Sequence, residues 1–398
     1  MNSAERRAGM SLAAIFALRM LGLFLILPVF AVHARAIPGG DDTFLVGMAI
    51  GAYGLTQAFL QILFGMASDR YGRKPVILFG LALFVAGSAV AALAADIHTI
   101  IIGRVIQGSG AISAAVTALA ADLTRDQHRT KIMAMIGSGI GLMFALSMVA
   151  APLLYAAIGM SGIFWLIAAL ALGAMALTVW AVPAAPAARS TPIRENNVIR
   201  QILRNGALMR LNFGVFALHL IQMMMWVTLP AALVAHGGLP VEEHWKIYLP
   251  AVLLSFAVMV PAIVAAERGR RFKPVYAGAV ALLALVQAGL YAWTENIWLA
   301  AAWLTLFFIA FNILEAMQPS LISRIVSPGI KGAALGVYNT LQSIGIFLGA
   351  AAGGWLLRHF SEAAVGWCCG ILALSWLALA VACPLPVPAP TESAHKRA

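Results

Sequence analysis

The chain has 398 residues, of which 62% are hydrophobic and 10% are charged, and its mean hydropathy is +0.92. Since a soluble chain of this length would carry about 25% charged residues, the composition excludes a water-soluble globule and predicts an all-α membrane protein whose surface largely faces lipid. The net charge of +11 is compatible with a nucleic-acid partner, but the placement of the basic residues, given below, indicates a topology signal and argues against nucleic acid.

Twelve apolar stretches are long enough to cross a bilayer as helices, which takes about 20 residues each. In chain order, and numbered here as spans 1 to 12, they lie near residues 10–32, 43–67, 75–95, 98–121, 131–157, 161–183, 207–235, 245–266, 274–293, 296–321, 332–355 and 362–384. Helices are expected because the backbone groups of a lipid-embedded segment must form hydrogen bonds within that segment. The first stretch lacks a recognisable cleavage site, so we expect it to be retained as a helix.

The basic residues between the spans predict the orientation. Of the 26 lysines and arginines, 21 lie at the termini or in even-numbered gaps, 3 lie in odd-numbered gaps, and Arg19 and Arg104 fall inside spans. Loops that are rich in lysine and arginine stay on the cytoplasmic side of the membrane. We therefore expect an even number of crossings, both termini in the cytoplasm, and a multi-pass protein of a bacterial inner (plasma) membrane.

The longest hydrophilic stretch between spans separates six spans from six. The expected units are an N-terminal six-helix bundle, a cytoplasmic linker, a C-terminal six-helix bundle and a disordered cytoplasmic tail, at residues 1–183, 184–206, 207–384 and 385–398. Similar charged loops also recur in corresponding gaps, at residues 69–75 and 267–274. Repeated halves of this kind are typical of transporters, which bind their substrate between the halves near the bilayer midplane.

Two motifs carry a family resemblance. Residues 65–75 read GMASDRYGRKP, which resembles the G-x-x-x-D-R-x-G-R-K loop between spans 2 and 3 of the major facilitator superfamily. Residues 104–110 read RVIQGSG, which resembles the R-x-x-Q-G-x-G motif of its proton-coupled drug antiporters. Stretches at 18–22, 53–57 and 311–316 look closest to the YajR-like branch. Members of that branch often carry a cytosolic domain after span 12, and we expect this domain to be absent because the chain stops about 14 residues later.

The resemblance implies a fold of two pseudo-symmetric six-helix bundles with a conformational switch in the first charged loop. It implies that Asp69 meets the start of span 11 when the cavity faces outward, and that Arg73 and Asp122 complete a charge cluster. Glycines in the loop permit a close helix approach and a tight turn. The implied switch residues are Gly65, Asp69, Arg70, Gly72, Arg73 and Asp122. The alternative interpretation is a charged loop that only determines topology.

Ionisable side chains inside spans are costly, so each one is a candidate functional group. Glu315 lies deep in span 10, and Arg19, Arg104 and His219 also lie within spans. We expect Glu315 to change its protonation and, with these three residues, to couple proton movement to transport. Alternatively, Glu315 forms a fixed structural ion pair with Arg19 or Arg104, and His219 is an ordinary hydrogen-bonded packing residue.

Polar side chains inside spans predict the substrate cavity. Tyr53, Gln57 and Gln61 recur every four residues and form a polar stripe on span 2, which lipid would reject. This stripe is expected to line the cavity or to pack against polar groups of span 11. The candidate cavity residues are Tyr53, Gln57, Gln61, Gln222, Trp226, Asn312, Asn339 and Gln342. No metal is expected because the three cysteines lack metal-ligand spacing.

These features predict a monomeric secondary active transporter that works by alternating access and uses the proton gradient in place of any cofactor. The expected reaction is proton-coupled efflux of a small hydrophobic or cationic compound, with protons and membrane lipid as the other partners. Span 5 keeps Pro152 of the drug-antiporter pattern but has lost the nearby glycines, so proton-linked uptake of a nutrient or organic anion is the alternative. A membrane-embedded enzyme would need a nucleophile and base or a metal cluster that the spans do not offer, so no enzyme is expected.

Overall fold

The computed structural model describes residues 3–183, 195–269, 271–290, 296–326 and 330–382. These residues form helices and no β-strand, with a single 3-10 turn at Val241–Glu243. In chain order the helices are α1 (Ser3–Phe24), α2 (Phe30–Ala34), α3 (Thr43–Tyr71), α4 (Arg73–Ala92), α5 (Ile97–Ser109), α6 (Ser113–Asp122), α7 (Asp126–Trp180), α8 (Glu195–Arg204), α9 (Gly206–Ala235), α10 (Trp245–Arg268), α11 (Phe272–Leu290), α12 (Ile297–Ile325), α13 (Lys331–His359) and α14 (Glu362–Ala382).

Within the described ranges, eleven helical segments are long and apolar enough to cross a membrane. The longest helix, α7, has 55 residues and contains both span 5 and span 6. A straight helix of this length would measure about 80 Å, more than twice the apolar thickness of a bilayer. One crossing therefore cannot accommodate α7.

The chain reverses within α7 at Gly159, whose φ of 65° and ψ of −176° are not helical. Before this break, Phe144 packs on Phe24 of α1 with ring centroids 5.2 Å apart. After it, Ile167 lies 3.0 Å from where a Cβ would stand on Gly22 of the same helix. In a straight helix Phe144 and Ile167 would be roughly 35 Å apart, so they cannot both reach one place on α1. α7 is thus two membrane-length segments, which confirms the prediction of twelve.

Two predicted spans have different boundaries in the structure. α1 ends at Phe24, not near residue 32. The physical reason is Pro28, which has no N–H to donate to the Phe24 carbonyl and whose ring would clash with it. Span 4 is two helices, α5 and α6, separated at Gly110. A Cβ on Gly110 would lie 2.2 Å from the Gly80 carbonyl oxygen, so glycine is required where α4 approaches this break.

Backbone contact joins α3 of the predicted N-terminal half to α13 of the C-terminal half. A Cβ on Gly47 would lie 2.1 Å from the Ala350 carbonyl oxygen, and a Cβ on Gly54 would lie 2.8 Å from that of Ser343. Small residues permit this approach, as they do in other membrane helix pairs. The two helices are therefore in close contact over the part of α3 that begins near Asp42.

We name the two ends of the bundle after Asp42 and Asp69, which flank α3. At the Asp42 end, Arg358 Nη1 lies 2.5 Å from Asp42 Oδ2. Next to this pair, the Thr43 hydroxyl donates to the Gly354 carbonyl at 2.8 Å. Both contacts join α3 to the C-terminal end of α13. The halves are closed at the Asp42 end.

The Asp69 end has a different arrangement. Gly65 of α3 faces Ala114 of its own half, 3.6 Å from where a Cβ would stand. On α13, a Cβ added to Gly332 or Gly336 would meet no heavy atom within 4 Å. Over the described residues of these two helices, the close contact of the Asp42 end does not continue. The contact between α3 and α13 is therefore confined to the part of these helices nearer the Asp42 end, and we infer that the halves open toward the Asp69 end.

The predicted linker contains the helix α8, in which Ile202 is buried. Residues 184–194 of the predicted linker and the predicted tail at 385–398 lie outside the described residues. The domain boundaries inferred from the sequence stay a prediction.

Candidate functional site

Arg19 of α1 is almost fully buried, with 1% of its surface exposed. Its Nη1 donates to the Ser113 hydroxyl at 3.0 Å. Its Nη2 donates to Gln57 Oε1 at 3.1 Å, to the Gly110 carbonyl at 3.3 Å and to the Tyr53 hydroxyl. The Gly110 carbonyl is accessible because the helix is broken there. All of these acceptors are neutral, and among the described residues no carboxylate lies within ion-pair distance of this guanidinium.

Arg104 of α5 is also buried, with 2% exposed. It donates to the carbonyls of Ala49 and Ile50 at 3.2 and 3.3 Å and to Gln107 Oε1 at 2.8 Å. Its guanidinium carbon lies 5.2 Å from the centre of the Tyr53 ring. Two buried cations therefore flank Tyr53, and neutral oxygens and aromatic faces solvate both.

Glu315, Gln342 and His219 meet in the C-terminal half. Gln342 Nε2 lies 2.7 Å from His219 Nε2 and 3.4 Å from Glu315 Oε1. The His219 Nε2 atom lies 3.6 Å from Glu315 Oε2. The Glu315 side chain is 37% exposed, but its Oε2 atom is buried and has no hydrogen-bond partner, and His219 is buried as well. The structure thus places an acid and a base side by side, on α12 and α9.

The hydrogen-bond partners of His219 assign its tautomer. Its Nδ1 atom lies 3.0 Å from the Val215 carbonyl, which can only accept, so Nδ1 carries the hydrogen. In the neutral ring Nε2 then has a free lone pair, and it accepts a hydrogen bond from Gln342. The hydrogen bonds of the ring therefore assign the tautomer with hydrogen on Nδ1.

The fixed ion pair that the sequence left open, between Glu315 and Arg19 or Arg104, is not the arrangement in the structure. The hydrogen bonds of both guanidiniums lie within the N-terminal half, where Arg19 Nε is buried without a partner. Glu315 contacts His219 and Gln342 instead. Both ring nitrogens of His219 have polar partners, which agrees with a hydrogen-bonded packing residue as well as with a coupling residue.

The polar stripe of span 2 lies against the other half. Gln57 Nε2 donates to Ser343 Oγ of α13 at 3.2 Å, so the span 11 partner is Ser343 and neither Asn339 nor Gln342. Tyr53 and Gln61 are both buried in this conformation, and Gln61 Oε1 has no hydrogen-bond partner there. Cavity lining by these side chains stays a prediction.

The other candidate cavity residues occupy the C-terminal half. Asn312 Nδ2 donates to the Ser255 hydroxyl at 2.7 Å. Trp226 is buried against Phe308, with ring centroids 6.3 Å apart. Gln222 is buried as well. Asn339 is half-buried.

An aromatic contact between the halves was not predicted. Phe144 of α7 packs against Phe308 and Phe311 of α12, with centroids 5.8 and 6.2 Å apart. Phe311 in turn packs against His219 at 5.8 Å. No sequence signal distinguishes these phenylalanines from lipid-facing ones. Ser343, in contrast, follows Asn339 by one helical turn, and this polar spacing was a usable signal.

The charge cluster of the first loop forms largely as the resemblance implied. Arg73 Nη1 lies 2.5 Å from Asp69 Oδ1, and Arg73 Nε lies 2.9 Å from Asp122 Oδ2. Gly72 has a φ of 94° at the turn between α3 and α4, a conformation that favours glycine. Arg70 lies outside the cluster, over the ring of Tyr71.

The implied contact of Asp69 with span 11 is absent from the described residues. The Asp69 side chain is 44% exposed and is paired with Arg73, four residues later. In this conformation Asp69 is thus paired within its own half. The implied contact belongs to the outward-facing state, so its absence does not decide between a switch and a topology signal.

Comparison with known proteins gives the family and the fold. The family model for the Major Facilitator Superfamily matches residues 12–350. The inner membrane transport protein YajR of Escherichia coli strain K12 is 45% identical over 386 residues, which cover 96% of this chain and 84% of YajR. The multidrug resistance protein MdtH of Aeromonas hydrophila is 24% identical over 368 residues, 90% of this chain and 88% of MdtH.

Among solved structures, a bacterial homologue of the human lysosomal transporter Spinster has the same fold. In its inward-facing and occupied conformation it matches with a TM-score of 0.77 and 14% sequence identity. The match covers 97% of this chain and 98% of that one. The predicted all-α membrane fold of two six-helix bundles is thereby confirmed.

Proposed function

The chain belongs to the major facilitator superfamily and is therefore a membrane transporter and not an enzyme, and we propose that it couples the inward movement of protons to the export of a small hydrophobic or cationic compound. It works by alternating access, as a monomer in a bacterial inner membrane with both termini in the cytoplasm. The localisation rests on its likeness to an inner membrane transport protein, and the orientation rests on the distribution of basic residues.

One observation carries the proton coupling: Glu315 Oε2, which is buried and has no hydrogen-bond partner, lies 3.6 Å from His219 Nε2. In this proposal the carboxylate and the imidazole hold the transported proton between them. The partly exposed carboxylate exchanges that proton with the open side of the membrane. At ~100 mV each proton that enters supplies about 2.3 kcal/mol, which can drive a substrate outward.

With the predicted orientation, the Asp69 end is cytoplasmic and this conformation faces inward. The switch proposal fits that assignment. Asp69 stays with Arg73 while the cytoplasmic end is open, and it would reach α13 only when that end closes. The Asp42–Arg358 pair would break in the same transition.

Export of a hydrophobic or cationic compound is the first candidate. MdtH is named as a multidrug resistance protein, and this chain resembles it over most of its length. The exposed acid at the cavity and the aromatic group around Phe144 suit a hydrophobic cation, because a carboxylate and aromatic faces both attract positive charge.

Transport of an organic anion is the second candidate, and Arg19 favours it. A guanidinium in the bilayer interior costs at least ~2.5–3.5 kcal/mol, and here no carboxylate among the described residues offsets it. An anionic substrate would supply the missing charge. In this candidate, protons enter together with the anion and the direction of net transport is uptake.

A thermal-shift screen of the purified full chain separates these candidates. Tetraphenylphosphonium is the cationic probe, and benzoate is the anionic probe. We expect the cation to raise the Tm and the benzoate not to, and Arg19→Gln to leave the cation response in place. If benzoate raises the Tm of the parent and Arg19→Gln abolishes this rise, anion uptake would be the better proposal and export would be rejected.

Direction is tested separately in inverted membrane vesicles with an acidified interior. Accumulation of tetraphenylphosphonium that collapses with the pH gradient supports export. Accumulation by intact expressing cells, above that of cells without the protein, would contradict it.

A further inference from the structure

Two consecutive residues of α13 contact opposite halves of the protein. Gln342 reaches His219 and Glu315 in the C-terminal half. Ser343 accepts a hydrogen bond at 3.2 Å from Gln57 of α3 in the N-terminal half. Consecutive residues of a helix point about 100° apart. One face of α13 can therefore contact the Glu315–His219 pair, while a neighbouring face contacts the N-terminal half of the protein.

The Gln57 amide has a defined orientation. Arg19 can only donate, so the Gln57 atom that it contacts at 3.1 Å is the carbonyl oxygen. The amide nitrogen of Gln57 therefore points at Ser343. This fixes a continuous set of polar contacts from Arg19 through Gln57 and Ser343 to the helix that carries Gln342.

Gln342 is sensitive to the protonation of its partners. Its amide nitrogen has two hydrogens, one directed at His219 Nε2 and one at Glu315 Oε1. If the imidazole takes up a proton, Nε2 becomes a donor and repels this nitrogen. If Glu315 takes up the proton, its oxygen becomes a poorer acceptor. Either event weakens the arrangement in the structure and requires Gln342 to turn or withdraw.

Few other ionisable groups face the pair in the described residues. Tyr338 on α13 lies within electrostatic range of Glu315, and Tyr276 on α11 lies within range of Tyr338. A tyrosine ordinarily ionises near pH 10, so neither contributes a charge change between pH 5 and 8. Arg19 is permanently charged and is linked to α13 through Gln57.

We propose that Gln342 is a positioning residue that transmits the protonation of the Glu315–His219 pair to the hydrogen bond between Gln57 and Ser343, and that this bond holds the Asp42 end closed. The bond is made when the pair is unprotonated and weakens when it is protonated. By linkage, the closed Asp42 end lowers the proton affinity of the pair. A transporter open at the Asp69 end then releases its proton there. The inference rests on the proposed proton coupling.

The test measures the distance across the Asp42 end by double electron–electron resonance. Spin labels are placed on Arg35 of the N-terminal half and Ser361 of the C-terminal half, in the full chain without native cysteines, in lipid nanodiscs from pH 5 to 8. In the parent protein we expect the fraction open at the Asp42 end to rise as the pH falls. Ser343→Ala removes the acceptor of one hydrogen bond and is expected to raise the open-to-closed ratio roughly fivefold at pH 8.

Gln342→Leu is expected to abolish the dependence of the open fraction on pH, and Ser343→Thr, which keeps the hydroxyl, is expected to restore the parent ratio. Thr340→Val is the matched control. It lies on the same helix, and its buried hydroxyl has no hydrogen-bond partner, so the parent behaviour is expected. Gln57→Ala should have a smaller effect in the Ser343→Ala background than in the parent, because both substitutions break the same bond and Gln57→Ala alone also removes an acceptor of Arg19.

The inference is overturned if Gln342→Leu keeps the parent pH dependence, or if Ser343→Ala keeps the parent ratio. Only variants that elute as folded protein are compared. The hydrogen bond between Gln57 and Ser343 is removed from either side, by Gln57→Ala and by Ser343→Ala, so the test does not depend on one variant folding. Proton movement in liposomes separates this inference from the proposed function. If Glu315→Gln abolishes proton movement but Gln342→Leu leaves the spin-label distances unchanged, the proton coupling stands and the role of Gln342 is wrong. If the parent moves no protons and its spin-label distances do not change with pH, both proposals are wrong.

Discussion

The guanidinium of Arg358 lies 2.5 Å from the carboxylate of Asp42, across the two halves of the transporter. The other oxygen of Asp42 caps α3 by accepting from the Phe44 amide at 2.9 Å. One carboxylate thus starts a helix of the N-terminal half and binds the last turn of α13. This pair closes the Asp42 end at its outermost point.

Asp42→Asn separates the two roles, because asparagine still caps a helix but carries no charge. We expect the open-to-closed ratio at the Asp42 end to rise about 1.4- to fivefold, the effect of a partly exposed ion pair of ~0.2–1 kcal/mol. The measurement is the rate at which a membrane-impermeant maleimide labels a cysteine placed at Ala31, in a background without native cysteines. High salt should reduce the difference from the parent protein.

Glu243→Gln is the matched control for this pair. It breaks the exposed contact with Lys246 at 2.8 Å, which lies within one half. The labelling rate at Ala31 should not change. An equal rate in the Asp42→Asn protein and its parent would show that the Asp42–Arg358 pair does not hold this end closed.

Gly47 lies at a close approach between α3 and α13. Since a Cβ there would lie 2.1 Å from the Ala350 carbonyl oxygen, Gly47→Ala is expected to disfavour the present conformation by about 1–3 kcal/mol. Labelling at the Asp42 end should increase and transport should fall. Gly336→Ala on α13, where a Cβ meets no heavy atom within 4 Å, should leave both unchanged. Unaltered labelling in Gly47→Ala would contradict the close contact.

Asp69 provides a test of the switch. Asp69→Asn removes the charge that pairs with Arg73 but keeps the shape of the side chain. We expect at least a fivefold loss of transport at normal membrane abundance, because the closed state of the Asp69 end would lose its ionic contact. Glu267→Gln, an exposed acid on α10 that pairs with Arg324 at 2.8 Å, should stay within twofold of the parent. Normal transport by an Asp69→Asn protein that inserts normally would contradict the switch and would show that the loop only determines topology.

Hydropathy predicted the spans well because each must be long and apolar to cross lipid. It placed the reversal between spans 5 and 6 correctly, although the helix is interrupted there only at Gly159. It could not predict the break of span 4 at Gly110, because that break depends on how closely α4 approaches. The family resemblance implied the cluster of Arg73, whose partners Asp69 and Asp122 lie at the C-terminal ends of α3 and α6.

The partners of buried charges were beyond the sequence. Glu315 was identifiable as an acid deep in a span, but its contacts come from α9 and α13, far away along the chain. Arg104 lies well inside the protein and does not reach the surface, since backbone carbonyls of α3 accept its hydrogen bonds. Such contacts follow from helix packing, and no spacing in a single sequence fixes which helices meet.

Glu315 is the centre of the proposed mechanism, and proton movement in liposomes tests it most directly. The full chain is reconstituted with a pH-sensitive dye inside, and proton flux is recorded after addition of the compound with the largest thermal shift. Exchange of that compound across the membrane is measured in parallel, without a pH gradient. Glu362→Gln is the control, because Glu362 also lies near a histidine, 3.5 Å from His236, but at the Asp42 end.

The account predicts that Glu315→Gln loses at least nine-tenths of the substrate-driven proton flux and keeps at least half of the exchange, while Glu362→Gln matches the parent in both. Proton flux in Glu315→Gln equal to that of the parent would contradict the account, since protons would then move without the only acid identified deep inside a span.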